Sequence, residues 1–344
     1  MRLGVIDAGS NTVHLLIAQA DGMMPLPLHT SKRRLRLAER RGPDGRLDEQ
    51  AVADLACAVA SARNEAAAWG VAEPFVLATA VIRDAPDCAG VLEAVRAASG
   101  VEVAVLSGPA EAELTYLAVR RWLGWSAGPL ALLDVGGGSL EVAFGRTGVP
   151  DFAVSLPVGA ARLTHAFLQG GDPPDPQALR ALRRRVRHEL RDAAVRMRWE
   201  EPRTAVATSR TFQQLARLCG AAPGRRGPFV HRTLDRSDLK PAIRELAALP
   251  ARERAQLPGI SEPRAEQSLA GAVVAHTAMK MLGIRTVTLC PWALREGILL
   301  RLIERGDQCP APGLSPWFGF PAEREPNATR GAAEEPEENA ETTD

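Results

Sequence analysis

The chain has 344 residues, 46% hydrophobic and 24% charged, with 42 Lys and Arg against 41 Asp and Glu. That is globular composition with apolar mass for two cores. It excludes disorder of the chain as a whole, and no stretch approaches the ~18 unbroken apolar residues of a membrane span. The first residues read as a strand rather than a signal peptide. Five scattered cysteines without a CxxC pair argue against a disulfide scaffold and a zinc site, and the expected location is cytoplasmic.

Residues 3–19, LGVIDAGSNTVHLLIAQ, read as an apolar strand, a Gly-Ser turn and a second strand. A helix is expected at 49–69, a strand at 74–81, a helix near 87–99, a strand at 101–106 and a helix from about 109 to 121. The stretch 122–129, WLGWSAGP, has the Gly and Pro punctuation of a linker. Residues 130–145, LALLDVGGGSLEVAFG, then repeat the opening pattern: with Asp7 laid on Asp134, Gly9 falls on Gly136 and Leu3 on Leu130. Two matching copies a domain's length apart imply two similar domains, each opened by a hairpin with an acidic, Gly-rich turn.

In the second half, 152–157 reads as a strand. A long helix follows at about 176–199, with Leu179, Leu182, Val186, Leu190, Ala194 and Met197 at helical spacing. A strand at 204–208, a helix at 209–219, helical segments across 235–256 and 262–282, a strand at 285–289 and a helix at about 291–305 complete the pattern. Alternating strands and helices predict an α/β fold. The expected domains are 1–125 and 126–309, with the last helix packing back on the first, followed by a disordered acidic tail at 310–344. From Glu323 to Asp344 eight acids stand against two arginines, a net −6 that leaves +7 on the rest of the chain. A basic body hints at an anionic ligand.

The two turns carry the chemistry. Gly136, Gly137 and Gly138 let backbone N–H groups approach a phosphate without side chains in the way. Asp7 and Asp134, each at a strand end, suit a hydrated divalent cation held across a cleft. Ser10, Asn11 and Ser139 add donors. His14, on an apolar strand, reads as a packed histidine, and the arginine-rich face of 176–199 reads as a solvated helix face.

VIDAGSNTVHLLIA and LLDVGGGSLEVAFG resemble the phosphate-binding turns of the exopolyphosphatase/guanosine pentaphosphate phosphatase (Ppx/GppA) family. The resemblance continues through ATAVIRDA (78–85), SGPAEAELTYLAV (107–119), SLPVGAARLT (155–164), ATSRTF (207–212), LPGISEPRA (257–265) and PWALREG (291–297). It is to the short, two-domain actinobacterial type. It implies two ribonuclease-H-like domains of the actin/Hsp70/sugar-kinase superfamily with an interdomain cleft. The implied activity is hydrolysis of terminal orthophosphate from inorganic polyphosphate. The alternatives are a guanosine pentaphosphate 5'-phosphohydrolase and a non-catalytic polyphosphate or nucleotide sensor.

The resemblance also implies roles. Glu111 matches the catalytic glutamate, and Asp134 and Glu141 the two essential acids around the second turn. Glu141 follows Asp134 by an odd offset, which on one ideal strand would face it the other way; the turn between them removes that constraint. Arg83 matches a recurring arginine suited to phosphate oxygens. Ser209 and Thr211 match a small-residue turn usually written with Gly between, where this chain has Arg210. Gly159 and Arg162 match a further loop, and Glu113, at a position commonly arginine, is taken as surface. The phosphate-binding set is then Gly9, Ser10, Asn11, Arg83, Gly136 to Gly138, Ser139, Ser209 and Thr211. Mg2+ is expected near Asp7, Asp134 and Glu141. The expected partners are inorganic polyphosphate or guanosine pentaphosphate, with no nucleic acid and no membrane; a homodimer is left open.

Overall fold

In the computed structural model, which describes residues 1–305 apart from Met23 and Pro43, two mixed sheets enclose a middle layer of two helices. The tail expected to be disordered lies outside the described residues. The first sheet holds β1 (Arg2–Ala8), β2 (Thr12–Asp21), β3 (Met24–Arg34), β4 (Phe75–Ala78) and β5 (Ala104–Val105) in the order β3-β2-β1-β4-β5. Its helices are α1 (Glu49–Ala68), α2 (Ala80–Arg83) and α3 (Cys88–Ser99); α4 (Gly108–Leu123) then leads to the second sheet.

That sheet begins with β6 (Leu130–Val135), β7 (Leu140–Gly145) and β8 (Phe152–Leu156), followed by α5 (Ala160–Phe167), α6 (Pro176–Glu189) and α7 (Arg191–Arg198). Then come β9 (Thr204–Thr208), α8 (Ser209–Leu218), β10 (Thr233–Asp235), α9 (Arg236–Ala248), α10 (Ala251–Arg254), α11 (Ala265–Met281), β11 (Thr286–Leu289) and α12 (Leu294–Arg305). The strand order is β10-β11-β9-β6-β7-β8. Read from β8, it repeats the first sheet: an antiparallel three-strand meander, then two strands parallel to the meander's first strand, with β10 added at the edge. The sequence repeat is thus a repeat of the ribonuclease-H-like strand order.

Strand alternation sends each sheet's residues to two different layers. On the outer face of the first sheet, Ile6, Ala8, Val13, Leu15 and Ile17 pack on α1 and α3. On the outer face of the second, Leu133, Val135, Leu140 and Val142 join a core with α6, α8, α9 and α11. The inner faces look toward α4 and α12, which pack on each other. Leu130, Leu132 and Ala143 meet Tyr116 and Leu117 of α4 there, and α12 lies on β1, β2 and β3. Asp7 and Asp134 fall on these inner faces, one step out of phase with the outer-face residues.

Several elements depart from the sequence reading. The apolar run 74–81 is divided between β4 and the short α2, because both are buried and an apolar run carries no period to separate them. The helix expected over 176–199 is broken at Leu190, where ψ is −5°. β3 is an exposed edge strand containing Pro25 and Pro27, a composition that hides a strand. Four of the cysteines, Cys57, Cys88, Cys219 and Cys290, are free thiols. Among the described residues no helix is long and apolar enough to cross a membrane.

Candidate active site

Each acidic strand end is followed by a tied turn. The Gly9 N–H donates to the Thr12 carbonyl at 3.0 Å, and the Gly136 N–H donates to the Ser139 carbonyl at 2.9 Å. The carbonyls of Gly136, Gly137 and Gly138 accept from the N–H groups of Ala160, Arg162 and Gly159 at 2.9, 3.0 and 3.2 Å. This fixes the loop on the start of α5. Among the described residues the N–H groups of Ser10, Asn11, Gly137, Gly138 and Ser139 donate to no backbone carbonyl. Free amides in consecutive positions form an anion cradle. The loop also explains its glycines: a Cβ on Gly138 would stand 2.8 Å from the Cβ of Ala80, and one on Gly137 2.8 Å from that of Ser10. The two turns therefore touch.

The acids follow from register. Asp134 pairs directly with Glu141 across β6 and β7, so the two side chains share the inner face despite their odd separation. Ser155 on β8 lies opposite Glu141, and its hydroxyl donates to Glu141 Oε1 at 2.8 Å. Thr208 on β9 lies opposite Asp134 and donates its hydroxyl to Oδ2. Glu111 enters from the first turn of α4, a helix begun by Ser107, whose Oγ accepts from the Ala110 N–H at 3.3 Å. Arg83, at the end of α2, donates to Glu111 Oε2 at 3.1 Å and to the Leu106 carbonyl at 3.0 Å. Asp7 accepts from Arg295 Nη1 of α12 at 3.1 Å.

Burial sets the electrostatics. Loss of water raises the Glu111 pKa to about 7, with Asp7 and Asp134 adding to the rise and Arg83 opposing it. The same cause lifts Asp134 to about 6, against the Thr208 hydrogen bond and Arg295. Glu141, 2% exposed, is raised well above the carboxylate range by burial and then by Glu111 and Asp134. Asp7 is also raised by burial, with Arg295 pulling it down. Four carboxyls that resist ionisation together make a site demanding positive charge.

The structure brings together Asp7, Glu111, Asp134, Glu141, Arg83 and the two turns. Ser209 starts α8 with φ of 77°, a left-handed value costly for a residue with a Cβ, at a place where small residues were expected. Thr211 is buried, with its methyl group beside Gly271 of α11. Arg162 reaches from α5 to pair with Asp84 after α2. Glu113, taken as surface, is half-buried, and burial raises its pKa against the pull of Arg301. Sequence reasoning gave no role to Arg295, Thr208 or Ser155, although all three lie inside the quoted motifs. The signal was present, but the charge pairing is not local.

A model of the Ppx/GppA phosphatase family matches residues 16–305. The chain belongs to the Ppx/GppA phosphatase family. It is 63% identical to an uncharacterized protein of Streptomyces coelicolor, over 89% of this chain and 91% of that one. It is 45% identical to Exopolyphosphatase 1 of Mycobacterium tuberculosis, over 88% of this chain and 89% of that one. The fold is similar to the crystal structure of an exopolyphosphatase from Cytophaga hutchinsonii, with a TM-score of 0.80 and 22% identity over 88% of this chain and 98% of that one. It is also similar to the Ppx/GppA family member of Aquifex aeolicus, with a TM-score of 0.73 and 25% identity over 90% and 99% of the two chains.

Proposed function

We propose that this Ppx/GppA phosphatase is an exopolyphosphatase that hydrolyses terminal orthophosphate from inorganic polyphosphate. The observation that carries the reading is Glu111, a buried carboxyl with a pKa of about 7 held by Arg83 between the acids and free amides of two phosphate-cradle turns. The 45% identity to proteins named Exopolyphosphatase 1 supports polyphosphate as the substrate.

In the proposed reaction the amides of the Gly9–Asn11 and Gly136–Ser139 turns and Arg83 grip the terminal phosphate. Glu111 orients a water molecule and takes its proton as the oxygen bonds to phosphorus. The bond to the bridging oxygen breaks, orthophosphate leaves, and the chain is one phosphate shorter. A base with a pKa near the working pH is well matched to this transfer. Positioning and electrostatics suffice, with no covalent intermediate.

The donor set fits Mg2+. Its side chains are hard oxygen donors, and a cation relieves the mutual repulsion that burial imposes on them. Among the described residues no three His, Cys, Asp or Glu side chains gather closely enough to hold an ion unaided. That suits an ion that keeps several waters and takes one or two carboxylates beside substrate phosphate. One or two of Asp7, Asp134 and Glu141 would hold it together with water and substrate phosphate, and it would neutralise phosphate charge.

Phosphate release from long polyphosphate, tripolyphosphate, guanosine pentaphosphate and ATP tests the reading. Polyphosphate is expected to have the highest kcat/KM. A higher value for guanosine pentaphosphate would make the chain a guanosine pentaphosphate 5'-phosphohydrolase, and binding without release from any of them would make it a sensor.

A further inference from the structure

A line of four charged groups runs from the second phosphate turn to Glu111. Arg162, on α5, donates its backbone N–H to the Gly137 carbonyl at 3.0 Å, and its Nη2 donates to Asp84 Oδ2. Asp84 accepts at its other oxygen, Oδ1, from Arg83 Nε at 3.2 Å. Arg83 Nη1 in turn donates to Glu111 Oε2 at 3.1 Å. The signs alternate, so every neighbour in the line is a partner. None of the four side chains is more than 32% exposed, and at that depth the pairs are screened less than ion pairs in open solvent.

Asp84 stands in the middle, and its backbone is fixed at both ends. The N–H donates to the Ala80 carbonyl at 3.0 Å, closing α2, and the carbonyl accepts from Arg41 Nη2 at 2.9 Å. The carboxylate then divides its two oxygens between two guanidiniums, one following the first phosphate turn in the chain and one following the second. Arg83 has one further tie, from Nη1 to the Leu106 carbonyl at 3.0 Å. A guanidinium is planar, with its five N–H groups in a fixed fork, so contacts at Nε and Nη1 set the direction of Nη2. Among the described residues Nη2 of Arg83 donates to no other group.

An arginine without the tie at Nε would be free to turn two nitrogens onto Glu111. Bidentate pairing is the geometry this side chain prefers with a carboxylate, and it would occupy both the base and the N–H groups that a phosphate needs. We propose that Asp84 is a positioning residue: it holds Arg83 so that one nitrogen meets Glu111 and Nη2 is left for a phosphate oxygen of the substrate, while Arg162 anchors Asp84 to the second turn. This rests on the functional reading above and deepens it. Asp84 acts through Arg83, not on the reacting atoms.

The test is phosphate release from polyphosphate by the full-length parent, Asp84→Asn, Arg83→Gln and the protein carrying both. Asparagine keeps the shape of aspartate but has one acceptor oxygen, with a donor NH2 in place of the other, so it does not serve both guanidiniums. Asp84→Asn should lower kcat about tenfold, the size of one charge-assisted hydrogen bond. Beside Arg83→Gln the same substitution should change kcat less than about twofold, because the residue it acts through is gone. Arg162→Gln should lower kcat about threefold, again only while Arg83 is in place. No loss from Asp84→Asn, or for either substitution the same factor with and without Arg83, overturns the proposal.

Heat unfolding of the same proteins needs no turnover. Asp84→Asn should lower Tm by about 1–3 °C, and by less than about half as much beside Arg83→Gln. Equal falls would mean that Asp84 does not hold Arg83, and also overturn the proposal. Absence of phosphate release by the parent would remove the functional reading, and the unfolding comparison would still decide whether Asp84 holds Arg83.

Discussion

The hairpin β1–β2 places His14 opposite Asp7, and the hairpin β6–β7 places Glu141 opposite Asp134. The backbones follow one plan, and the facing residue decides what each half of the cleft does. In the second half two acids share a buried face; burial raises the pKa of both, and Asp134 adds to the rise of Glu141. In the first a neutral imidazole and Lys32 stand beside an aspartate already paired with Arg295. One half sets two acids side by side, and the other sets a lysine, an imidazole and an aspartate in one row. A duplicated fold thus supplies two unlike halves of one site through single changes in a cross-strand row.

Glu111 stands between the halves, and removing its basicity should have the largest effect. Glu111→Gln is expected to lower phosphate release by ~10²–10⁴-fold while sparing polyphosphate binding. If the variant keeps parental turnover, Glu111 is not the base.

Gly159 tests the packing under the second turn. A Cβ there would lie 2.3 Å from the Gly138 carbonyl carbon and the Ser139 nitrogen, both backbone atoms. Gly159→Ala should cost about 1–3 kcal/mol or more in denaturant unfolding. Gly148→Ala, where a Cβ meets nothing within 4 Å, should cost far less. Equal costs would mean that the loop moves freely.

Glu141→Gln and Asp134→Asn probe the acidic half by pH. Both carboxyls have folded pKa values raised above their ordinary ones. Native protein therefore holds protons that the unfolded chain releases, and the stability these groups give is present at low pH and lost as pH rises. Each variant should lose at least about tenfold in activity, yet melt higher than its parent at pH 8, with the gain vanishing near pH 4. The Asp134→Asn activity should be partly restored by excess Mg2+. A lower melting temperature at pH 8 would contradict the burial argument. In the parent enzyme kcat/KM should climb with pH up to about 7, where Glu111 ionises; a flat profile between pH 5 and 8 would point to another base.

The smallest effect is expected at Ser155. Its hydrogen bond to Glu141 is worth about 1 kcal/mol, so Ser155→Ala should reduce kcat about fivefold and leave KM nearly unchanged. A change in KM instead would place Ser155 on the substrate.

The duplicated turns, the placement of Asp7 and Asp134 at strand ends and the α/β alternation were legible from spacing alone, because strand and helix periods are local properties of the chain. Glu111 was legible only through resemblance to a family, since a glutamate in a first helical turn also serves the helix dipole. Register decided that Glu141 faces Asp134, which strand counting by itself did not give. His14 read as a packed histidine and is buried, but only tertiary structure set it between Asp7 and Lys32 with an unpartnered nitrogen. Arg295 reaches Asp7 across 288 residues, and Arg83 reaches Glu111 across 28. Those pairings depend on how two sheets close around α4 and α12. Charges act through space, whereas sequence pattern records only neighbours along the chain, so the chain's own order laid out the scaffold and the closed fold assigned the charges of its cleft.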